Sequence, residues 1–292
     1  MNERFAWSCT LLICAIAWSS VVGAQSKIES AAKDETGFTS NVEFGGTTNS
    51  AGQVYEIDSS AGYTFTEHFG MDFRLPIYFV RGSDSSSGSS SGSGVGNPSV
   101  DLRWKYPHTS VTYATVLSGS APLGDKDLGL NTGHATFDWT NHFDHAFNQV
   151  TPFFEAGFSN TTQDSRLFVR PYTSYGLNTH FRGGAEIDVW KFISVGAAGY
   201  DIAPFGTQTV FSRVVGSASA NNNPTSRNFN AGHQVTGSSS IAADDGFSIW
   251  VDASLNKYTD AEVGYTRSVQ YALNSISFSI GFNVGRLLRA SK

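Results

Sequence analysis

The stretch Ser275-Ile276-Ser277-Phe278-Ser279-Ile280-Gly281-Phe282-Asn283-Val284 places a large apolar residue at every second position and a small or polar one between. A β-strand sends successive side chains to opposite faces, so this segment carries one greasy face and one polar face. The same rhythm returns in Phe69, Met71, Phe73, Leu75, Ile77 and Phe79, which enclose Gly70, Asp72, Arg74 and Pro76. It returns again in Val100, Leu102, Trp104 and Tyr106 around Asp101, Arg103 and Lys105. In these segments the second face is charged.

Segments of this kind predict strands near residues 38–46, 53–65, 69–80, 98–107, 111–120, 134–143, 150–159, 171–188, 192–205, 246–256, 261–270 and 275–285. Each holds about the 9–11 residues that a tilted strand uses to cross a hydrocarbon layer. The links between them alternate in length. Thr66-Glu67-His68, Pro107 to Ser110, His142 to Gln149, Val189-Trp190-Lys191 and Lys257 to Asp260 are short, whereas Arg81 to Asn97, Ser120 to Gly133, Asn160 to Arg170 and Gly206 to Asp245 are long. Bacterial barrels put short turns on the periplasmic side and long loops outside, and an even strand number returns both termini to the periplasm. Tyr55, Tyr63, Trp104, Tyr106, Tyr113, Trp139, Tyr172, Trp190, Tyr200, Tyr258 and Tyr265 lie toward strand ends, where they would form interfacial girdles. The expected fold class is therefore all-β, a transmembrane antiparallel up-and-down β-barrel of about twelve strands. A soluble β-sandwich also has alternating strands, but it requires no asymmetry of loop length, and no linker divides this chain into two cores.

The chain opens Met1-Asn2-Glu3-Arg4, continues through an apolar run from Phe5 to Trp18, and reaches Val22-Gly23-Ala24 before the polar Gln25-Ser26-Lys27. That layout predicts a cleavable secretory signal, cut after Ala24. The expected organisation is a signal over residues 1–24, a periplasmic N-terminal tail over 25–37, the barrel over 38–285 and a C-terminal tail over 286–292. Cys9 and Cys14 both fall in the signal, so the mature protein is expected to lack disulfides, thiolate metal sites and a cysteine nucleophile. After Ala24 no stretch approaches the roughly 20 apolar residues that a membrane helix needs, and the mean hydropathy is −0.19. Aromatic content of 13% against 15% charged residues, with 30 glycines and 8 prolines, suits a sheet-rich chain. The formal charge of −6 and the lack of a basic block exclude nucleic acid as a partner. The expected location is the cell outer membrane, and the expected partners are its lipid, its assembly machinery and small solutes.

Projected inward, the polar face supplies Glu43, Glu56, Asp58, Asp72, Asp101, Asp138, Glu155, Glu186, Asp252 and Glu262 against Arg74, Arg103, Lys105 and Arg182. A basic side chain at the lipid midplane costs about 2–4 kcal/mol, so these residues fix the strand register. They are the expected lumen-lining set. Two roles fit them: a hydrogen-bonded ladder that fills a small barrel, or the wall of a water-filled channel. In a water-filled lumen the carboxylate excess favours cations and neutral solutes over anions.

Enzyme chemistry finds little support. His134 and His142 share a strand face but lie about 26 Å apart along it, too far to hold one ion. His142, Asp144 and His145 near a turn could hold one, though solvated turn polarity explains them as well. No Gly-x-Ser-x-Gly elbow occurs in a strand-to-helix setting, and the glycines from Gly88 to Gly96 lack the Lys-Ser/Thr ending and the following helix of a phosphate loop. No catalytic residue, metal or cofactor is expected.

The run Gly94-Val95-Gly96-Asn97-Pro98-Ser99-Val100-Asp101-Leu102-Arg103-Trp104-Lys105-Tyr106 is followed by Leu117-Ser118-Gly119-Ser120-Ala121-Pro122-Leu123-Gly124 and by Leu128-Gly129-Leu130-Asn131-Thr132-Gly133. Together these resemble the MetA-pathway of phenol degradation family of bacterial outer-membrane barrels. The resemblance implies outer-membrane placement and passage of small, including aromatic, compounds, and it brings no catalytic residues. One departure is the C-terminus. Many outer-membrane barrels finish on an aromatic residue, whereas this chain runs on past Phe282 through Arg286-Leu287-Leu288-Arg289-Ala290-Ser291-Lys292. Either the assembly machinery tolerates that tail, or it reads its signal from Phe278 to Phe282. The function expected is a passive pore for small solutes; the alternative is a structural or surface-interaction barrel with a plugged lumen.

Overall fold

The computed structural model describes residues 36–83, 91–108, 110–162, 164–214 and 234–290. The expected signal, most of the N-terminal tail, residues 84–90 of the 81–97 link and the middle of the 206–245 link lie outside the described residues. In chain order the strands are β1 (Gly37–Asn49), β2 (Gly52–Thr66), β3 (Phe69–Gly82), β4 (Ser91–Val95), β5 (Ser99–Tyr106), β6 (Thr112–Ser120), β7 (Thr136–Asp144) and β8 (Val150–Ser159). They continue as β9 (Tyr172–Tyr175), β10 (Asn178–Trp190), β11 (Ile193–Pro204), β12 (Gln208–Ser212), β13 (Val235–Gly237), β14 (Asp244–Asn256), β15 (Thr259–Ser268) and β16 (Leu273–Asn283), and a helix α1 (Val284–Ala290) follows.

Twelve of these strands close into one antiparallel barrel: β1, β2, β3, β5, β6, β7, β8, β10, β11, β14, β15 and β16. Each pairs with the next, and β16 returns to β1 with a register running from Asn41 opposite Asn283 to Asn49 opposite Ser275. No helix among the described residues is long and apolar enough to cross a membrane. The barrel wall satisfies its own backbone amides strand to strand, which is what a chain immersed in hydrocarbon requires.

The two faces are inverted relative to a soluble sheet. Ile276 is 57% exposed, whereas its neighbours Ser275 and Ser277 are 1% and 2% exposed. A soluble sandwich would bury the isoleucine and expose the serines, so this pattern decides between the two architectures. Phe73, Leu102, Trp139, Val251 and Val263 join Ile276 on the outside, and Thr47, Asp138, Ser248 and Glu262 face inward.

Several expectations are corrected in detail. The strand predicted over 171–188 is two pieces: β9 belongs to a separate three-stranded sheet with β12 and β13, and only β10 enters the barrel. The break falls at Gly176, whose φ of 147° suits glycine and whose α-carbon faces the Gln208 side chain too closely for a β-carbon. Gln208, fully buried, donates from Nε2 to the carbonyls of Leu177 and Phe205 at 2.9 and 2.8 Å, fixing that corner. The 81–97 link contains β4, which pairs with the outer half of β3 while β5 pairs with the inner half. The C-terminal tail begins as α1, capped where Asn283 Oδ1 accepts the Arg286 amide at 2.8 Å and held to β1 where Arg289 Nη1 donates to the Phe38 carbonyl at 3.1 Å. Two of the expected girdle residues turn inward instead. Tyr172 is 1% exposed and Tyr200 donates to Asp244 at 3.2 Å, because β9 packs Tyr172 against Val210, Ala242 and Tyr271 and position 200 has the inward parity of β11.

Val251, outward at the middle of β14, tests the inversion. Val251→Arg is expected to lower unfolding stability in lipid vesicles by about 2–4 kcal/mol. Denaturant titration in vesicles measures it, and an unchanged midpoint would mean that this face does not meet hydrocarbon.

Candidate functional site

The charged residues singled out from the alternation all have inward parity, and most meet a partner across the wall. Asp72 and Asp101 stand directly opposite each other on β3 and β5, an arrangement of like charges that is unfavourable by itself. Arg103 pairs with Asp72, and Arg74 pairs with Asp58 and reaches Asp101 at 3.6 Å, so each carboxylate gains a diagonal cation. Farther round, Glu155 accepts from His142 Nδ1 at 3.0 Å and from Arg182 at 3.4 Å. Asp138 accepts from Thr140 at 2.6 Å and lies 3.7 Å from His180. Glu186 accepts from Trp250 Nε1 at 3.4 Å. Asp252 and Glu262 are register partners on β14 and β15 and both are buried, as is Lys105 on β5. Glu43 meets an arginine from a loop, and Glu56 faces the central cavity.

The turn histidines do not converge. His142 is held between Glu155 and Asp144, the latter 3.2 Å from its Nε2, while His145 packs edge-on against Phe147 with ring centres 4.2 Å apart. Among the described residues no group of three or more side chains could hold a metal ion.

The feature that strand-by-strand reading missed is residues 164–170. Expected as part of an external loop, they turn into the barrel as a hairpin closed by the Ser165–Phe168 bridge. At its tip Arg166 lies 3.1 Å from Glu43 on β1, donates to Ser279 on β16 at 3.1 Å, and pairs with Asp260 on β15. Asp260 is the second residue of β15, beside the short turn from β14, so the tip reaches the short-link half of the barrel. Leu167 enters an apolar cluster with Phe153, Ala198 and Trp250, while Val169 donates its amide to Thr47 at 3.0 Å. β1 and β8 are six strands apart in the ring, so the hairpin spans the lumen between opposite walls.

Two further arginines lock its base. Arg170, buried, donates to Asp244 at 2.6 Å and to the Tyr172 hydroxyl at 3.0 Å, and its guanidinium lies over the rings of Phe168, Tyr172 and Tyr200 at 5.1–5.8 Å. Burial works against its charge, but Tyr172, Asp244 and Tyr200 more than offset that and raise its pKa. Arg166 is raised in the same sense, with burial opposed by Glu43, Asp260 and Glu262. Arg213 pairs with Asp164, donates to Thr173 at 2.8 Å and sits over the Tyr78 ring at 4.3 Å. A sequence signal existed: Arg166-Leu167-Phe168-Val169-Arg170 is too apolar for a solvated loop, and its bracketing cations need enclosed carboxylates.

Open space remains on one side of the hairpin. A cavity of about 180 Å³ lies between it and the wall from β1 to β7. Carboxylates (Glu43, Glu56, Asp58, Asp101, Asp164), guanidiniums (Arg74, Arg166, Arg213) and a set of hydroxyls including Ser99, Ser118, Ser120 and Thr136 line it.

No protein-family model matches the chain, and no curated protein sequence is significantly similar to it. Among solved structures, an outer membrane channel from Pseudomonas putida F1 is similar at a TM-score of 0.55 with 10% identity, covering 85% of this chain and 96% of that one. The chain has the fold of an outer-membrane β-barrel. The KdgM porin in complex with disordered oligogalacturonate aligns at a TM-score of 0.48 with 7% identity over 83% of this chain and 98% of that chain. The NanC porin aligns at 0.45 with 8% identity over the same shares.

Breaking a buried ion pair by removing one partner costs about 3–5 kcal/mol. Arg170→Met is expected to spend that loss on the loop layer and not on the wall. Trypsin should then cut at Arg166 in the intact barrel, with heat-modifiable migration on gels unchanged. Protection equal to wild type would contradict this role for Arg170.

Proposed function

We propose that this chain is a passive outer-membrane channel for small polar solutes, neutral or cationic, exported with cleavage after Ala24. The observation that carries the reading is the polar, charged cavity between the hairpin and the β1–β7 wall, inside a barrel whose outer face is apolar. Hydroxyls and paired charges offer hydrogen bonds to a hydrated solute, and carboxylates outnumber guanidiniums along the lining, which favours cations over anions. The resemblance to the MetA-pathway family adds aromatic or hydrophobic compounds as a candidate class. The apolar part of the lining, Pro76, Tyr78, Leu130 and Val169, is where such compounds would be received. No catalytic residue enters the proposal.

A second reading has its own support. The hairpin packs into apolar clusters around Val54 and Phe153, and a third cluster around Tyr172 holds the loop sheet together, as in a plugged structural barrel. Planar-bilayer recording separates the two: discrete channels favour the first, and their absence the second.

Liposome swelling with solutes of graded size and charge tests the proposal. Small neutral polyols and organic cations are expected to enter faster than anions of equal size, and in a salt gradient the reversal potential is expected to have the cation-selective sign. Uptake no faster than in empty liposomes would remove the transport reading, and strong anion preference would remove its electrostatic part.

A further inference from the structure

We infer that the hairpin of residues 164–170 is the constriction of this channel and that Arg166 sets its charge selectivity. The inference rests on the channel reading and adds to it the element that narrows the path.

The wall that receives the hairpin is built from small residues. Gly45 on β1, Gly264 on β15, and Ser277, Ser279 and Gly281 on β16 all face inward there. Larger side chains at those positions would occupy the volume the hairpin takes; a β-carbon on Gly264 would already touch Leu167 at 3.8 Å. The two anchors of the tip differ in kind. Leu167 is packed away among Phe153, Ala198 and Trp250, whereas Arg166 remains a quarter exposed and borders the cavity. Glu43 and Arg166 both border the cavity, and Asp260 meets the same guanidinium, so on the channel reading a solute moving toward the short-link end passes this group. Arg166 therefore does two things at once: it clasps the hairpin to three strands, and it offsets the negative charge of the narrowest part.

These two effects predict opposite responses to opposite substitutions. Removing Arg166 leaves Glu43, Asp260 and Glu262 less compensated, so selectivity moves toward cations. Removing the acids leaves the guanidinium dominant, so selectivity moves toward anions. A clasp with no electrostatic role would loosen in both variants and move selectivity in the same direction.

The test is single-channel recording of the full-length exported protein in planar bilayers, comparing wild type, Arg166→Cys and the double variant Glu43→Gln/Asp260→Asn. Heat-modifiable migration confirms that each variant has folded. Arg166→Cys is expected to raise conductance and shift the reversal potential toward that of the cation. A cationic thiosulfonate reagent should reverse that shift and an anionic one should deepen it. The same reagents should leave wild type unchanged, since both cysteines of the chain, Cys9 and Cys14, lie in the expected signal. The double variant should shift the potential toward the anion. If wild type conducts and Arg166→Cys matches it before and after both reagents, or if both variants shift selectivity in the same direction, the inference is overturned while the channel stands. If neither wild type nor the variants conduct, the channel reading fails and this inference fails with it.

Discussion

A backbone amide in hydrocarbon has no water to bond, so every strand of this wall must have a neighbour on both sides. The seam between β16 and β1 meets that demand by joining the last strand to the first and leaving no edge in the ring. From closure follows the inversion of the two faces, since the outside meets acyl chains and the inside receives whatever is polar. Isoleucine outside and serine inside along β16 is thus a consequence of topology as much as of composition.

Closure also creates a problem of charge. Carboxylates on β1, β2, β3, β5, β7 and β8 are brought within a narrow space, and isolated buried charges are costly. The wall offsets part of this itself, through the diagonals Arg74–Asp101 and Arg103–Asp72 and through His142 and Arg182 on Glu155. Loops add three more cations. Arg166, Arg170 and Arg213 come from links between strands and pair with Glu43, Asp260, Asp244 and Asp164. The cations that make the interior tolerable are therefore also the ones that bring a hairpin across it, and charge balance and constriction have one origin.

The wall was legible in the sequence because its signal is local. Alternation needs only neighbouring residues, and it gave β3, β5 and β16 together with the inward parity of Asp72, Asp101 and Glu155. What was not legible depends on residues distant in the chain. The break between β9 and β10 is set by Gln208 filling the corner at Gly176, so the continuous-looking run from Tyr172 to Trp190 had no reason of its own to divide. Tyr200 reads as an interfacial aromatic until Asp244 and Arg170 are placed beside it. The inward hairpin is hardest of all, because Arg166 finds Glu43 and Asp260 only once the ring has closed. Its apolar core between two arginines was the one local hint that the loop needed enclosure.

The most direct measurement is a cysteine scan of residues 275–282 in lipid vesicles, each cysteine carrying a fluorophore that brominated acyl chains quench. The account predicts quenching at Ile276, Phe278, Ile280 and Phe282 and none at Ser275, Ser277, Ser279 and Gly281. Uniform quenching, or none at any position, would contradict a closed sheet with lipid on one face and a polar interior on the other.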